Sequence, residues 1–216
     1  PTALLRALPG NVAQGLIWGI MALGVYITFR ILDFADLTVD GSLATGGAVA
    51  VMLIKGGMHP AVALIFAFLA GLAAGFITGM LHTAFGIPGI LASILTQIAL
   101  YSINLGIMGK SNQSIGIAQQ NLVASLRYVT ADDREIFFLK LILGCLLLVA
   151  FVYWVFGTEI GSAIRATGCN PQMARAQGIN TNFTKVAALM FSNGLVGLCG
   201  GIYAQYQGSA DVNAGR

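Results

Sequence analysis

Apolar residues run along this chain in long blocks separated by short polar punctuation. A membrane-spanning helix needs about 20 mostly apolar residues, and most of the blocks have that length. Leu8-Pro9-Gly10-Asn11 punctuates the start of the first, residues 12–29. RILDFADLTVDGS follows, with Arg30, Asp33, Asp36 and Asp40, and must reach water or a polar cavity. Residues 39–54 are apolar but short and Gly-rich, the pattern of a re-entrant or broken helix. KGGMHP (55–60) is a loop, 61–81 a clear span, and FGIPG (85–89) turns the chain into another span, 90–108. Residues 110–136 form the largest polar region, ending in TADDRE, and are expected to be one loop. Spans 136–156 and 183–206 complete the set, with the polar stretch 157–182 between them. The pattern predicts an all-α polytopic transmembrane helical bundle with short or broken helices, six membrane segments, and one domain over 1–216.

Composition strengthens this reading. Hydrophobic residues make up 57% of the chain and charged ones only 9%, against about 25% charged in soluble domains. Between Gly41 and Gly109 the only formal charge is Lys55. The 28 glycines fit, because Gly is commoner in transmembrane helices than in soluble ones. A net charge of +3 makes no case for nucleic acid. Cys145, Cys169 and Cys199 lack metal or CxxC spacing, and Cys145 and Cys199 serve as small hydrophobes in apolar runs. No disulfide is expected. The first apolar run has no cleavage site and reads as a retained anchor. The chain starts at Pro1 and stops after GSADVNAGR with no closing element, so both ends read as trimmed.

Catalytic signatures are wanting. His59 and His82 stand alone, and neither HExxH, GxSxG nor a Cys/His cluster occurs. NLGIMGKS (104–111) nearly spells a phosphate-binding loop, but Asn104 replaces the first Gly and no strand precedes it. It reads as a membrane-exit loop, leaving no nucleotide site in this chain. The sequons at Asn112 and Asn182 read as chance matches.

Other signals concern packing and polarity. Gly71, Gly75 and Gly79 lie four apart, making a groove where another backbone can approach closely, in the same chain by preference or in a second copy. Asp33, Asp36 and Asp40 share a face if helical. They make either a cation or proton site or, the preferred reading, an Arg30–Asp33 pair plus an Asp40 cap on the helix that begins at Gly41. Gln97, Asn104 and Asn193, inside spans, either line a translocation pathway or hydrogen-bond between helices. The 110–136 and 157–185 loops carry three Lys or Arg each, so charge alone does not orient the chain.

The stretch TEIGSAIRATGCNPQMARAQGIN contains two short helices. Thr158 can cap the first, with Glu159 in its first turn, and Gly168 stops it. Asn170 is a good N-cap, Pro171 a good first residue, and Gly178 suits the left-handed position after residues 171–177. A two-turn helix is marginal alone, so this is a small knob awaiting a partner or simply an ordered loop.

GSAIRATGCNPQMARAQGIN resembles the cytoplasmic coupling segment of permeases in the branched-chain amino-acid and sugar family of bacterial ABC importers. Gly161, Arg165, Ala166, Gly168, Asn170, Ala174, Gly178, Ile179 and Asn180 carry the match. GLIWGIMALGVYITFRILDFADLTVDGSLATGGAV also looks like the family's first span, its turn at Phe34-Ala35, and the Gly-Ala-rich segment after it. Branched-chain permeases usually place Asn before that Phe and His-Gly or Gln-Gly after the Ala. Asp33 and Asp36-Leu37 depart from this, toward a subgroup assigned to aromatic amino acids. The resemblance implies a permease subunit in the bacterial plasma membrane, working as a dimer and continuing past residue 216. It implies a solute-binding protein on the 110–136 side and two cytoplasmic ATPase subunits, which hold the ATP and Mg and grip the helix 171–177 of the cytoplasmic coupling segment 157–180. Coupling would fall to Glu159, Arg165, Ala166, Gly168, Asn170, Pro171, Met173, Ala174, Arg175 and Gly178. The chain itself would be no enzyme and carry no cofactor. The amino terminus would lie outside unless 39–54 is re-entrant, which the sequence leaves open. The rival class is an ion-coupled transporter or channel built on Asp33, Asp36 and Asp40.

Overall fold

The computed structural model describes residues 2–116 and 131–215. Helix α1, Thr2–Tyr26, continues into a π-helical turn, Ile27–Ile31. Then come α2 (Thr38–Lys55), α3 (Pro60–Thr83), α4 (Gly89–Met108), strand β1 (Asn112–Ser114) and α5 (Ala131–Gly157). The knob consists of α6 (Glu159–Cys169) and α7 (Pro171–Ala176), followed by α8 (Thr181–Gln207) and strand β2 (Ser209–Asp211). Among the described residues, α1 with its π turn, α3, α4, the stretch Ile136–Gly157 of α5, and α8 are long and apolar enough to cross a membrane. The protein is an all-α polytopic membrane protein. Among the described residues its one departure is the antiparallel ribbon β1–β2, with Gln113 opposite Ala210.

Helix α8 is the hub. Gly71, Gly75 and Gly79 of α3 lie against Asn193-Gly194, Leu189-Met190 and Val186 of α8, all within this chain. At Gly75 an added Cβ would sit 2.7 Å from the Leu189 carbonyl carbon, so only glycine permits this crossing. On another face, Gly46 of α2 meets the Gly197 backbone and Gly200 meets the Leu43 backbone. Small residues bring three helices to backbone contact, and α2 is buried on nearly all sides. Side chains complete the joints: Ser192 Oγ donates to the Gly24 carbonyl of α1 at 2.7 Å, and the Thr38 and Thr78 hydroxyls pair at 2.8 Å. By contrast, α5 exposes Leu139, Leu143, Leu146, Leu147, Tyr153 and Trp154, the face that lipid or another protein would cover.

Several expectations need correction. Helix α1 starts at Thr2, ten residues earlier than predicted, with Pro9 inside it. The bond that Pro9 cannot make would fall at Leu5, on a segment that is exposed anyway. Residues 39–54 are part of one unbroken helix, running antiparallel to α1. Its Gly-Ala content reflects helix neighbours on all sides rather than a break. Residues 131–136 belong to α5 rather than to a loop, since polar residues propagate a helix as readily as apolar ones and hydropathy marks only where apolar contact begins. Of the expected 110–136 loop, β1 takes 112–114 and residues 117–130 lie outside the described residues. The segment after α8, expected to have no closing element, forms β2 and packs Gly215 against the Asp40 backbone.

The direction of each helix follows from these contacts. Ile31 at the end of α1 touches Gly168 of the knob, whereas Gly10 accepts a hydrogen bond from Tyr206 near the far end of α8. The amino-terminal end of α1 and the knob therefore lie at opposite ends of the bundle. Lys55 Nζ, donating to Gln113 Oε1 at 2.9 Å, ties the end of α2 to the ribbon end.

Candidate functional site

The knob is built from local hydrogen bonding. The Thr158 hydroxyl accepts from the Gly161 N–H at 3.5 Å and caps α6. Glu159 occupies the first turn of α6, where the dipole favours an acid. Asn170 Oδ1 accepts from the Gln172 and Met173 N–H groups, both at 3.1 Å, and Pro171 opens α7. Gly178, with φ of 84°, takes the left-handed position. Its N–H donates to the Arg175 carbonyl and that of Ile179 to the Ala174 carbonyl, each at 3.0 Å. Those paired bonds are a Schellman motif, which satisfies the orphan carbonyls at the end of α7.

Three anchors hold the knob to the bundle. The Arg165 guanidinium donates to the Phe156 carbonyl at the end of α5. Thr167 and Thr184 pair their hydroxyls at 2.9 Å, joining α6 to α8, and Arg175 Nε donates to Thr181 Oγ1 at 2.7 Å. Gly168 does not stop α6, which runs to Cys169; a Cβ there would collide with the Ile31 carbonyl, so Gly168 serves close approach to the π turn. Ala174 is buried and Ala166 half-buried, whereas Met173 is 61% exposed. The result is a fixed projection with an apolar tip. Beside it opens a cleft of about 470 Å³, whose walls include Asp33, Phe34, His82, Cys169, Pro171 and Lys185. The rings of His82 and Phe34 pack edge to face, with centroids 5.1 Å apart.

The three acids do not form one site. Asp33 has a φ of 54°, which breaks any helical face they could share, and it lines the cleft. Among the described residues no ion pair joins it to Arg30. Asp36 is 2% exposed, buried rather than close to water. Its Oδ1 accepts from the Thr38 N–H at 2.9 Å and its Oδ2 from Asn193 Nδ2 at 2.7 Å. Burial pushes the Asp36 carboxyl up from its ordinary value, and the bonds from Thr38 and Asn193 pull it back. Asp40 does not cap α2, because the helix begins three residues sooner than expected: Leu37 takes the N-cap position without a side-chain cap, and Asp36 just before it takes the Thr38 N–H. Asp40 lies in the first turn of α2 and accepts from Gln97 at 3.5 Å.

The polar residues of the spans separate as well. Asn193 is saturated: besides Asp36 it donates to the Leu189 carbonyl at 3.0 Å and accepts from Ser42 at 2.6 Å. Gln97 and Asn104 face a small void toward the ribbon end, together with Asp40. The near-phosphate-loop motif resolves into the end of α4, with Gly109 at φ 66° as its left-handed terminus.

Against known proteins, residues 10–216 match the family model described as branched-chain amino acid transport system / permease component. This chain belongs to that family. A tyrosine transport system permease protein of Clostridioides difficile is 39% identical to this permease over 204 residues, 94% of this chain and 66% of that protein. A probable branched-chain amino acid transport permease of Methanocaldococcus jannaschii is 29% identical, covering 90% and 64%. An autoinducer 2 import system permease of Escherichia coli O9:H4 is 31% identical, covering 91% and 55%. The permease thus spans from about half to two thirds of the length of these curated relatives. No solved structure matches it.

Sequence reasoning missed two parts of the permease. The first is the glycine row of α8, written plainly as GLVGLCGG and legible by the same spacing argument that was applied to α3. The second is the strap, residues 209–215, which follows α8 down the side of α2. It walls a cavity of about 180 Å³ that is also lined by Leu43, Gly47, Tyr203 and Gln207. The acidic and small residues of GSADVNAG were the available signal.

Proposed function

We propose that this permease is the membrane-spanning part of an ATP-driven importer for an amino acid, an aromatic one by preference, in a bacterial plasma membrane. The observation that carries the reading is the knob. It is a doubly capped, triply anchored projection whose tip presents Met173 at one end of the bundle. Fixing a two-turn helix this firmly is useful when a partner must push against it. That partner is a dimer of cytoplasmic ATPases carrying ATP and Mg, gripping α6–α7. A solute-binding protein delivers solute at the ribbon end, and a second permease copy completes the unit. Glu159, Gln172 and Met173 present the contact face, with Arg175 beside them held by Thr181 as an anchor. Arg165, Gly168, Asn170, Pro171 and Gly178 shape and anchor it. The tyrosine permease relative supports an aromatic amino acid. The ion-coupled alternative loses its geometry, since Asp33, Asp36 and Asp40 serve three different places.

The test is a mild-detergent pull-down of the tagged full-length protein, compared with Met173→Glu and Arg165→Glu. The contact variant changes the tip and the anchor variant releases the knob from Phe156. An ATPase that comes down with the parent and is lost with both supports the proposal. A well-folded parent that captures none refutes it.

A further inference from the structure

Asn104 is fully buried, yet neither its amide nitrogen nor its amide oxygen has a hydrogen-bond partner. A buried polar group without a partner costs stability, so a leucine would serve better here. An unpaired buried carboxamide in a native protein calls for a reason. Its setting supplies one. Asn104 lines a void of about 10 Å³ with Gln97, Tyr101, Asp40, Val212 and Gly215. That is at the lower limit of what one water needs and far too small for a solute.

The cover of this void is the strap. Between the level of Gly47, which faces Ala210, and that of Asp40, which faces Gly215, the strap descends seven residues of α2, about 10 Å. Non-helical backbone at such depth is tolerated only where it is buried in protein or lines a water-filled cavity. The strap does the second on one flank: Ala210 and Ala214 wall the 180 Å³ cavity, while Val212 and Gly215 close the void. The strap is therefore the partition between an open cavity and an unsatisfied polar group.

We propose that Asn104 is a solute-recognition residue, closed off in this state by residues 212–215. When the strap moves aside, the carboxamide meets the head of a zwitterionic amino acid, with its N–H groups on the carboxylate and its oxygen on the ammonium. Gln97 stands about two turns away on the same helix, as a second carboxamide. Asn193, whose hydrogen-bonding capacity is already used, holds helices together instead. The inference rests on the amino-acid importer reading.

The experiment uses the full-length permease with its ATPase and binding protein in proteoliposomes. Radiolabelled tyrosine moved per ATP hydrolysed is compared between the parent and Asn104→Leu, alongside the melting temperature of each in detergent. The expected result is a fall of about ten-fold in tyrosine per ATP, with ATPase capture kept and a melting temperature equal or higher. Asn104→Ser, which keeps a polar group, should lie between. An unchanged ratio in Asn104→Leu overturns the inference alone, as does a fall matched by equal losses of melting temperature and captured ATPase. A parent that moves neither tyrosine nor any other amino acid overturns the importer reading with it.

Discussion

Replacing Gly178 isolates a purely conformational effect. Its φ is 84°, and a Cβ built there meets nothing within 4 Å. A new side chain therefore finds open space, and only the backbone resists it. A left-handed conformation costs a residue other than glycine about 1–2 kcal/mol, most for a β-branched side chain and least for Asn. Helix α7 has little in reserve. It spans six residues, buries Ala174, and is tied to α8 through Arg175 and Thr181. The loss in Gly178→Val thus falls on the knob and leaves the bundle intact. At 1.4 kcal/mol per factor of ten, the open knob becomes about ten-fold more populated.

Hydrogen exchange reads this directly. The Ile179 amide, bonded to the Ala174 carbonyl at 3.0 Å, should exchange about ten-fold faster in Gly178→Val. It should exchange at an intermediate rate in Gly178→Asn, while amides around Asn193 keep their protection in both. Capture of the ATPase should weaken in the same order. If the Val variant exchanged as slowly as the parent, or if Val and Asn behaved alike, the left-handed terminus would not be what holds the knob.

Other substitutions test the bundle and the caps. Gly75→Leu drives a side chain into the α8 backbone and should destabilise by about 3 kcal/mol or more, removing the monodisperse peak in detergent chromatography. Gly106→Leu, on a position with open space around it, should leave that peak unchanged. Asn170→Ala should loosen α7 by about 1 kcal/mol, seen as faster exchange of the Gln172 and Met173 amides. Asn193→Leu should destabilise through the Asp36 carboxylate, left with only its Thr38 bond, and more so as pH rises. The sign follows from Asp36, whose raised carboxyl contributes stability below the unfolded value of about 3.9 and loses it as pH rises through the folded value. Losing the Asn193 bond raises that folded value further, so the deficit in melting temperature should grow as pH rises through it. A deficit independent of pH would show that Asp36 is not the group involved.

The knob was legible because its signals are local. Thr158, Asn170, Pro171 and Gly178 act on backbone groups within a few residues, and each occupies the helical position its chemistry suits. The five long spans were legible for a similar reason, since hydropathy is summed over neighbours in sequence. Helix α2 was harder, because its low hydropathy follows from α3, α4 and α8 enclosing it, a fact about residues far away in the chain. The acids failed for the same cause. Spacings of three and four place Asp33, Asp36 and Asp40 on one face only if the backbone is helical, and the turn at Asp33 removes that condition.

Asn193 and Asn104 show where such reading ends. Both are asparagines in apolar helices, both are fully buried, and nothing adjacent in sequence separates them. Their difference lies in what the other helices bring. Asn193 meets Ser42 and Asp36, from about 150 residues earlier in the chain, and its amide is consumed by joining α2 to α8. Asn104 meets a strap that follows α8, and its amide is left over. A polar group that closes a joint supports the fold, whereas one that costs stability and closes none points to a ligand. That distinction exists only once both sets of neighbours are in place.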